Sequence, residues 1–124
     1  MWQWRQVGEL WYVDSTGSSF IERGYSGAGA GKNNATMQSV HDVGPVPQGD
    51  WMITDLTIGN TPHGPYVLHL APNENTITFG RSGFLIHGDS IAAPGTASKG
   101  CIILPRAIRE RIWQSNDRQL TVTA

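Results

Sequence analysis

The chain holds a single cysteine in 124 residues. No internal disulfide can therefore staple it, and with no second thiol and no Cys/His pair at zinc spacing no metal site is expected. It also lacks any long uninterrupted apolar run. The stretch from Met1 to Phe20 already carries Arg5, Glu9 and Asp14, so neither the apolar stretch of a signal peptide nor a spanning helix can be drawn there. Excess charge of one sign is absent too: nine Lys and Arg against ten Asp and Glu leave a formal net charge of -1. That field is too weak to draw in nucleic acid or an anionic membrane surface, and neither partner is expected; a neutral or zwitterionic substrate fits better. Repeats and low-complexity tracts are missing, and no motif asks for a cofactor.

What is present is an ordinary globular composition, 39% hydrophobic and 15% charged, with five tryptophans. A chain of this size removes roughly two-thirds of its unfolded surface from water, enough for one core without staples, so residues 1–124 are expected to form a single domain. The indole N–H of each tryptophan still needs a partner.

Alternation of apolar and polar residues dominates the local pattern. The segments Trp2 to Gln6 and Glu9 to Val13, joined at Val7-Gly8, suit a hairpin. The stretch from Tyr25 to Thr36 contains Gly27, Gly29, Gly31, Asn33 and Asn34, which predicts a surface loop. Strands are predicted at Trp51 to Thr54, at Tyr66 to Leu70 and at Thr76 to Phe79, each with apolar side chains on one face. Phe84-Leu85-Ile86 is a short continuous apolar run between Gly83 and Gly88, as in a central strand covered on both sides, and His87 sits at its end. After Cys101-Ile102-Ile103-Leu104, Pro105 suits a helix start, and Ile108 with Ile112 forms an apolar stripe beside Arg109 and Arg111, taken as its solvated face. Leu120 and Val122 predict a closing strand. The fold class that follows is mostly β, a sandwich or barrel of about seven to nine short strands, mostly antiparallel, with one short helix near the C-terminus.

The chemistry concentrates between Arg81 and Leu104. A lone cysteine beside Ile102 and Ile103 is more often a small core residue than a nucleophile. The flanking Ser98-Lys99-Gly100 and the upstream His87-Gly88 reverse that expectation. An unperturbed thiol is only about a few per cent ionised at neutral pH, so a catalytic Cys101 needs a base or a positive surrounding. His87 can take the proton directly or stand as an imidazolium beside a thiolate. Gly100 gives the nucleophile an unobstructed entry, the backbone N–H groups of Gly100 and Cys101 are candidate oxyanion donors, Ser98 can orient or donate, and Lys99 can lower the thiol pKa or meet a carboxylate. Asp89 is either a turn residue or an orienter. His41, His63 and His69 have no clustered partner and are given no chemistry.

His87-Gly88, a loop, then Ser98-Lys99-Gly100-Cys101-Ile102 resembles the active-site signature of the YkuD-like L,D-transpeptidase catalytic domain. Gly24-Tyr25-Ser26-Gly27, Gly31-Lys32-Asn33-Asn34, Val43-Gly44-Pro45-Val46-Pro47-Gln48-Gly49 and His63-Gly64-Pro65-Tyr66 resemble the short type VI secretion effectors called Tlde1. The resemblance implies the L,D-transpeptidase-like β fold and a peptidoglycan stem tetrapeptide as substrate. Cys101 would attack the bond between diaminopimelate and D-alanine. Water or a D-amino acid would resolve the acyl-enzyme, giving L,D-carboxypeptidase activity or exchange; the sequence does not divide the two. By the same resemblance His87 is the base, the Gly88 carbonyl orients its imidazole, and Ser98 and Gly100 frame the nucleophile.

Two positions depart from many wall-building members of the resembled family, which carry His where this chain has Lys99 and Arg where it has Ile103. Arg81 and then Arg106 are the substitute candidates for carboxylate recognition. The resemblance further implies a protein made in the cytoplasm without a signal peptide, handed to a type VI delivery component, active in the periplasm of a target bacterium and matched by a cognate immunity protein. A papain-like peptidase is excluded by order, since no His follows Cys101. The remaining alternative is a non-catalytic cell-wall- or partner-binding β module with Trp2, Trp4, Trp11, Trp51 and Trp113 as its contact platform.

Overall fold

Alternation along each strand decides which side chains turn inward. In the computed structural model, which describes residues 1–124, Trp2 and Trp4 of β1 (Trp2–Arg5) are buried while Gln3 and Arg5 are only partly covered. Gly8, at φ +103°, closes the turn into β2 (Glu9–Asp14), and Arg5 pairs with Glu9. The remaining elements are β3 (Gly17–Arg23), β4 (Tyr25–Ser26), β5 (Gly49–Thr57), β6 (Val67–Pro72), β7 (Leu85–His87), β8 (Ile102–Ile103), α1 (Arg106–Gln114) and β9 (Gln119–Thr123).

All nine strands belong to one sheet in the order β3-β2-β1-β9-β5-β6-β7-β8-β4. Its two outermost strands, β3 and β4, are consecutive in the chain and separated only by Gly24, so the sheet curls into a nearly closed barrel. Gly24 makes the closure possible: a Cβ there would run into the Ile103 carbonyl and the Leu104 side chain. The interior is filled by inward residues of seven strands, among them Trp4, Leu10, Trp51, Ile53, Leu68, Ile86, Ile102 and Leu120, and by Ile112 of α1. Trp51 meets Phe84 edge to face with ring centroids 5.1 Å apart, the favoured geometry for an aromatic pair. The mostly β fold with one helix near the C-terminus is as expected.

Several local expectations change. β3 was not anticipated, because Gly17, Ser18 and Ser19 have little strand propensity and an edge strand this exposed has no buried stripe to betray it. The predicted loop at 25–36 contributes β4 and two single 3-10 turns, Gly29–Gly31 and Ala35–Met37, with Ser26 and Gly31 buried. Thr76 to Phe79 is not a strand: Phe79 takes φ +58°, Ile77 is exposed, and Thr76 folds back onto Asn73 and Asp50. The sheet also contains two parallel pairs, β1 with β9 and β7 with β8. Trp2, Trp4 and Trp51 are core residues, 2%, 0% and 1% exposed, so the five tryptophans do not form a surface platform.

Gly24→Ala is expected to lower unfolding stability by about 1–3 kcal/mol in urea, as overpacking against backbone does. Gly59→Ala, where an added Cβ meets nothing within 4 Å, should leave the midpoint unchanged.

Candidate active site

The parallel ladder of β7 and β8 pairs Ile86 with Ile102 and His87 with Ile103. Ile86 and Ile102 point into the core. His87 and Cys101, the latter two positions before Ile103, therefore turn to the opposite face together. Both line a cavity of about 300 Å³ whose wall also includes His41, Asp42, His63, Arg81 and Lys99. Cys101 is half-buried and His87 is 2% exposed.

The His87 Nδ1 lies 2.8 Å from the Gly88 carbonyl. Nδ1–H donating there leaves Nε2 as the basic nitrogen, and Nε2 has no hydrogen-bond partner in the protein. The Cys101 Sγ lies 3.7 Å from the Gly83 carbonyl, a long sulfur contact, and no hydrogen bond joins it to His87 Nε2. Burial pushes the Cys101 thiol above its ordinary value, opposed by the Leu85 N–H and the Arg81 charge. Burial pushes the His87 imidazole below its ordinary value; the Gly88 hydrogen bond works against this, and the His63 and Arg109 charges add to it. Both shifts favour a neutral thiol beside a neutral imidazole at rest over a standing thiolate–imidazolium pair.

Ser98 builds the approach to the cysteine. Its buried hydroxyl donates to the Cys101 carbonyl at 2.6 Å and accepts the N–H groups of Gly100 at 3.0 Å and Gly27 at 2.9 Å. The Gly100 N–H is thus occupied and is not a free oxyanion donor, contrary to expectation. Gly100 itself takes φ +142°, and a Cβ there would stand 2.5 Å from an Arg81 nitrogen and 3.0 Å from Phe84.

The arginines occupy other places than the sequence implied. Arg81 is buried, with its Nη atoms donating to the carbonyls of Gln38, Gly44, Pro45 and Lys99. Four of its five N–H donors are occupied within the protein, so it is a clamp joining loop 38–45 to the Cys101 turn rather than an open carboxylate receptor. It is also the cation coupled to the thiol. Arg106 lies outside the Cys101 cavity, over the Tyr66 ring at 5.3 Å. Arg109, taken as solvated, is 4% exposed and donates to the carbonyls of Tyr66, Leu104 and Pro65. Lys99 is the exposed cation on the cavity wall.

Asp89 stands outside the cavity. It accepts the Tyr25 hydroxyl at 2.7 Å and the N–H groups of Ser90 and Gly95, tying down the loop between His87 and Cys101. Burial and this hydrogen bond push the Tyr25 phenol up to about 12. For Asp89, burial is outweighed by these same hydrogen bonds and by Lys32, which hold its carboxyl low. His63, given no chemistry from sequence, lies ring to ring with His87 at 4.7 Å between centroids, and His41 with Asp42 forms part of the wall. The signal for His63 was its place in the His63-Gly64-Pro65-Tyr66 motif; His41 and Asp42 had none.

A family model described as the Tlde1 domain matches residues 21–123. The chain belongs to the Tlde1 domain family. Among solved structures the fold is similar to the crystal structure of an L,D-transpeptidase (Yku) from Stackebrandtia nassauensis, with TM-score 0.58 and 16% identity, over 99% of this chain and 54% of that one. The chain thus spans about half the length of that protein. No curated protein sequence matches it significantly. The fold is the one that the His87-Gly88 and Ser98 to Ile102 motifs implied, and the family the one implied by the motifs between Gly24 and Tyr66. In this Tlde1 domain no group of three or more His, Cys, Asp or Glu side chains is placed to hold a metal ion, and no helix is long and apolar enough to cross a membrane.

Arg81→Met should raise the pH midpoint for alkylation of Cys101 by iodoacetamide, because the thiolate loses the buried cation whose charge favours it. It should also cost about 1–3 kcal/mol in urea unfolding through the carbonyls left without donors.

Proposed function

We propose that this Tlde1 domain is a cysteine acyl-transfer enzyme of the bacterial cell wall, cutting the L,D-amide bond between diaminopimelate and D-alanine in stem tetrapeptides. The observation that carries the reading is the β7–β8 register, which turns the only thiol and a buried imidazole onto one face and into one cavity. The L,D-transpeptidase fold and the Tlde1 match support the substrate class.

The chemistry then follows from the site. Nε2 of His87 takes the thiol proton as Sγ of Cys101 attacks the amide carbonyl carbon. The tetrahedral intermediate collapses with cleavage of the C–N bond. His87 returns the proton to the departing D-alanine amine, and a thioester remains on Cys101. Water, or the amine of a D-amino acid, repeats the attack with His87 as base and frees the thiol. Because burial pushes the thiol up and the imidazole down, both shifts favour the neutral pair, and proton transfer accompanies attack rather than preceding it. Exposed Lys99 is the cavity's free cation and the candidate partner for a substrate carboxylate.

In the same reading the protein is an antibacterial type VI effector, exported through a delivery component into a neighbour's periplasm and countered by a cognate immunity protein. It is harmless in the producer's cytoplasm, where its substrate is absent.

Incubation with tetrapeptide muropeptides, followed by mass spectrometry, is expected to show loss of the terminal D-alanine, or its replacement when another D-amino acid is supplied. Cys101→Ala should abolish both, and unchanged muropeptides with the wild type would defeat the assignment. The acid limb of kcat/KM should fall below 6.5, since a base whose pKa burial has depressed stays neutral and active to lower pH than an ordinary imidazole. Targeted to the periplasm of a susceptible cell, the wild type should cause swelling or lysis and Cys101→Ala should not.

A further inference from the structure

The turn 61–64 carries an imidazole that the reaction above leaves without a role. The turn is tightly built: Thr61 and Gly64 exchange backbone hydrogen bonds, and the Thr61 hydroxyl donates to the Gly64 carbonyl at 2.8 Å and accepts the His63 N–H at 2.9 Å. Behind it, Arg109 holds the carbonyls of Pro65 and Tyr66. Tyr66 takes φ +58°, a costly conformation for an aromatic residue. These constraints aim His63 at one place. Its ring lies against the His87 ring, centroids 4.7 Å apart and planes inclined by 31°.

No hydrogen bond joins the two imidazoles, so the contact is one of faces. His63 is exposed on its outer side, whereas His87 beneath it is almost wholly covered. Both rings border the Cys101 cavity and also a second groove formed with Pro62, Gly64, Gly88 and Ser90. His63 thus stands where the two depressions meet, directly over the base.

We propose that His63 is a positioning residue for His87: its ring lies as a cover on the imidazole, keeps water off it, and holds Nδ1 on the Gly88 carbonyl so that Nε2 stays available to the thiol. This rests on the cysteine-enzyme reading for its effect on turnover, though not for its effect on the His87 ring. The charged and titratable groups acting on the His87 ring are His63 from the turn, Arg109 from α1 and Asp89 from the following loop, and Cys101 lines the same cavity from the neighbouring strand end. Substitution of His63 leaves the other three in place, so a change in His87 titration reports His63.

The test follows the His87 ring by NMR titration in wild type, His63→Phe and His63→Ala, alongside steady-state turnover of muropeptides. His63→Ala removes cover and charge together: the His87 pKa should rise towards the ordinary value and kcat should fall roughly ten- to a hundredfold, the scale of loss for a displaced catalytic group, with KM little changed. His63→Phe keeps the cover and loses the charge; the pKa should rise less and most of the rate should return. An unmoved His87 titration in His63→Ala would overturn the proposal. So would a Phe variant as slow as the Ala variant, which would make His63 a proton carrier. If the wild type turns over no muropeptide, the enzyme reading fails and the titration alone decides the role of His63.

Discussion

Everything at the site depends on a parallel ladder only two residue pairs long. Ile86 and Ile102 anchor it from the core side, and because side chains alternate along a strand, their anchoring forces His87 and Cys101 to the other face. A slip of one residue would bury the imidazole in the barrel or the thiol among the aliphatic side chains. Parallel neighbours need a crossover, and here the crossover carries the Asp89 and Ser98 hydrogen bonds that return the chain to the correct register. Site geometry and barrel packing are thus one constraint seen from two faces.

Two buried arginines extend that constraint outward. Arg81 grips four carbonyls on the cysteine side and Arg109 three on the histidine side, and neither forms a salt bridge with a carboxylate. Peptide dipoles compensate both charges, which suits guanidinium groups that remain protonated when buried. Fixed cations then sit on either flank of Cys101 and His87. The Arg81 charge favours the Cys101 thiolate, and the Arg109 charge favours the neutral His87 imidazole.

Much of the barrel was legible because a two-residue period is hard to disguise: Trp2 with Trp4, Trp51 with Ile53, and Leu120 with Val122 mark β1, β5 and β9. The same rule misread Ile77 and Phe79, where alternation is present but a backbone turn wins. It was silent for β3, which buries too little to leave a pattern. At the site, Cys101 and His87 were legible from their neighbours Gly88, Ser98 and Gly100. Arg109 was not, since helical spacing places it beside polar residues while its long side chain reaches back under Gly88. Arg81 could be seen as important but not as saturated by carbonyls, because backbone acceptors leave no trace in the identity of the residues that provide them.

The family match opens at Ile21, yet Trp2, Trp4 and Leu10 lie within the barrel and β1 is wedged between β2 and β9. A fragment trimmed to the matched span would keep Cys101 and His87 and lose the plug of the vessel that holds them. β9 would gain an unpaired flank facing water, and the interior would open to solvent beside Val122 and Leu120. The segment least visible to family comparison is therefore the one without which the shared part is hollow.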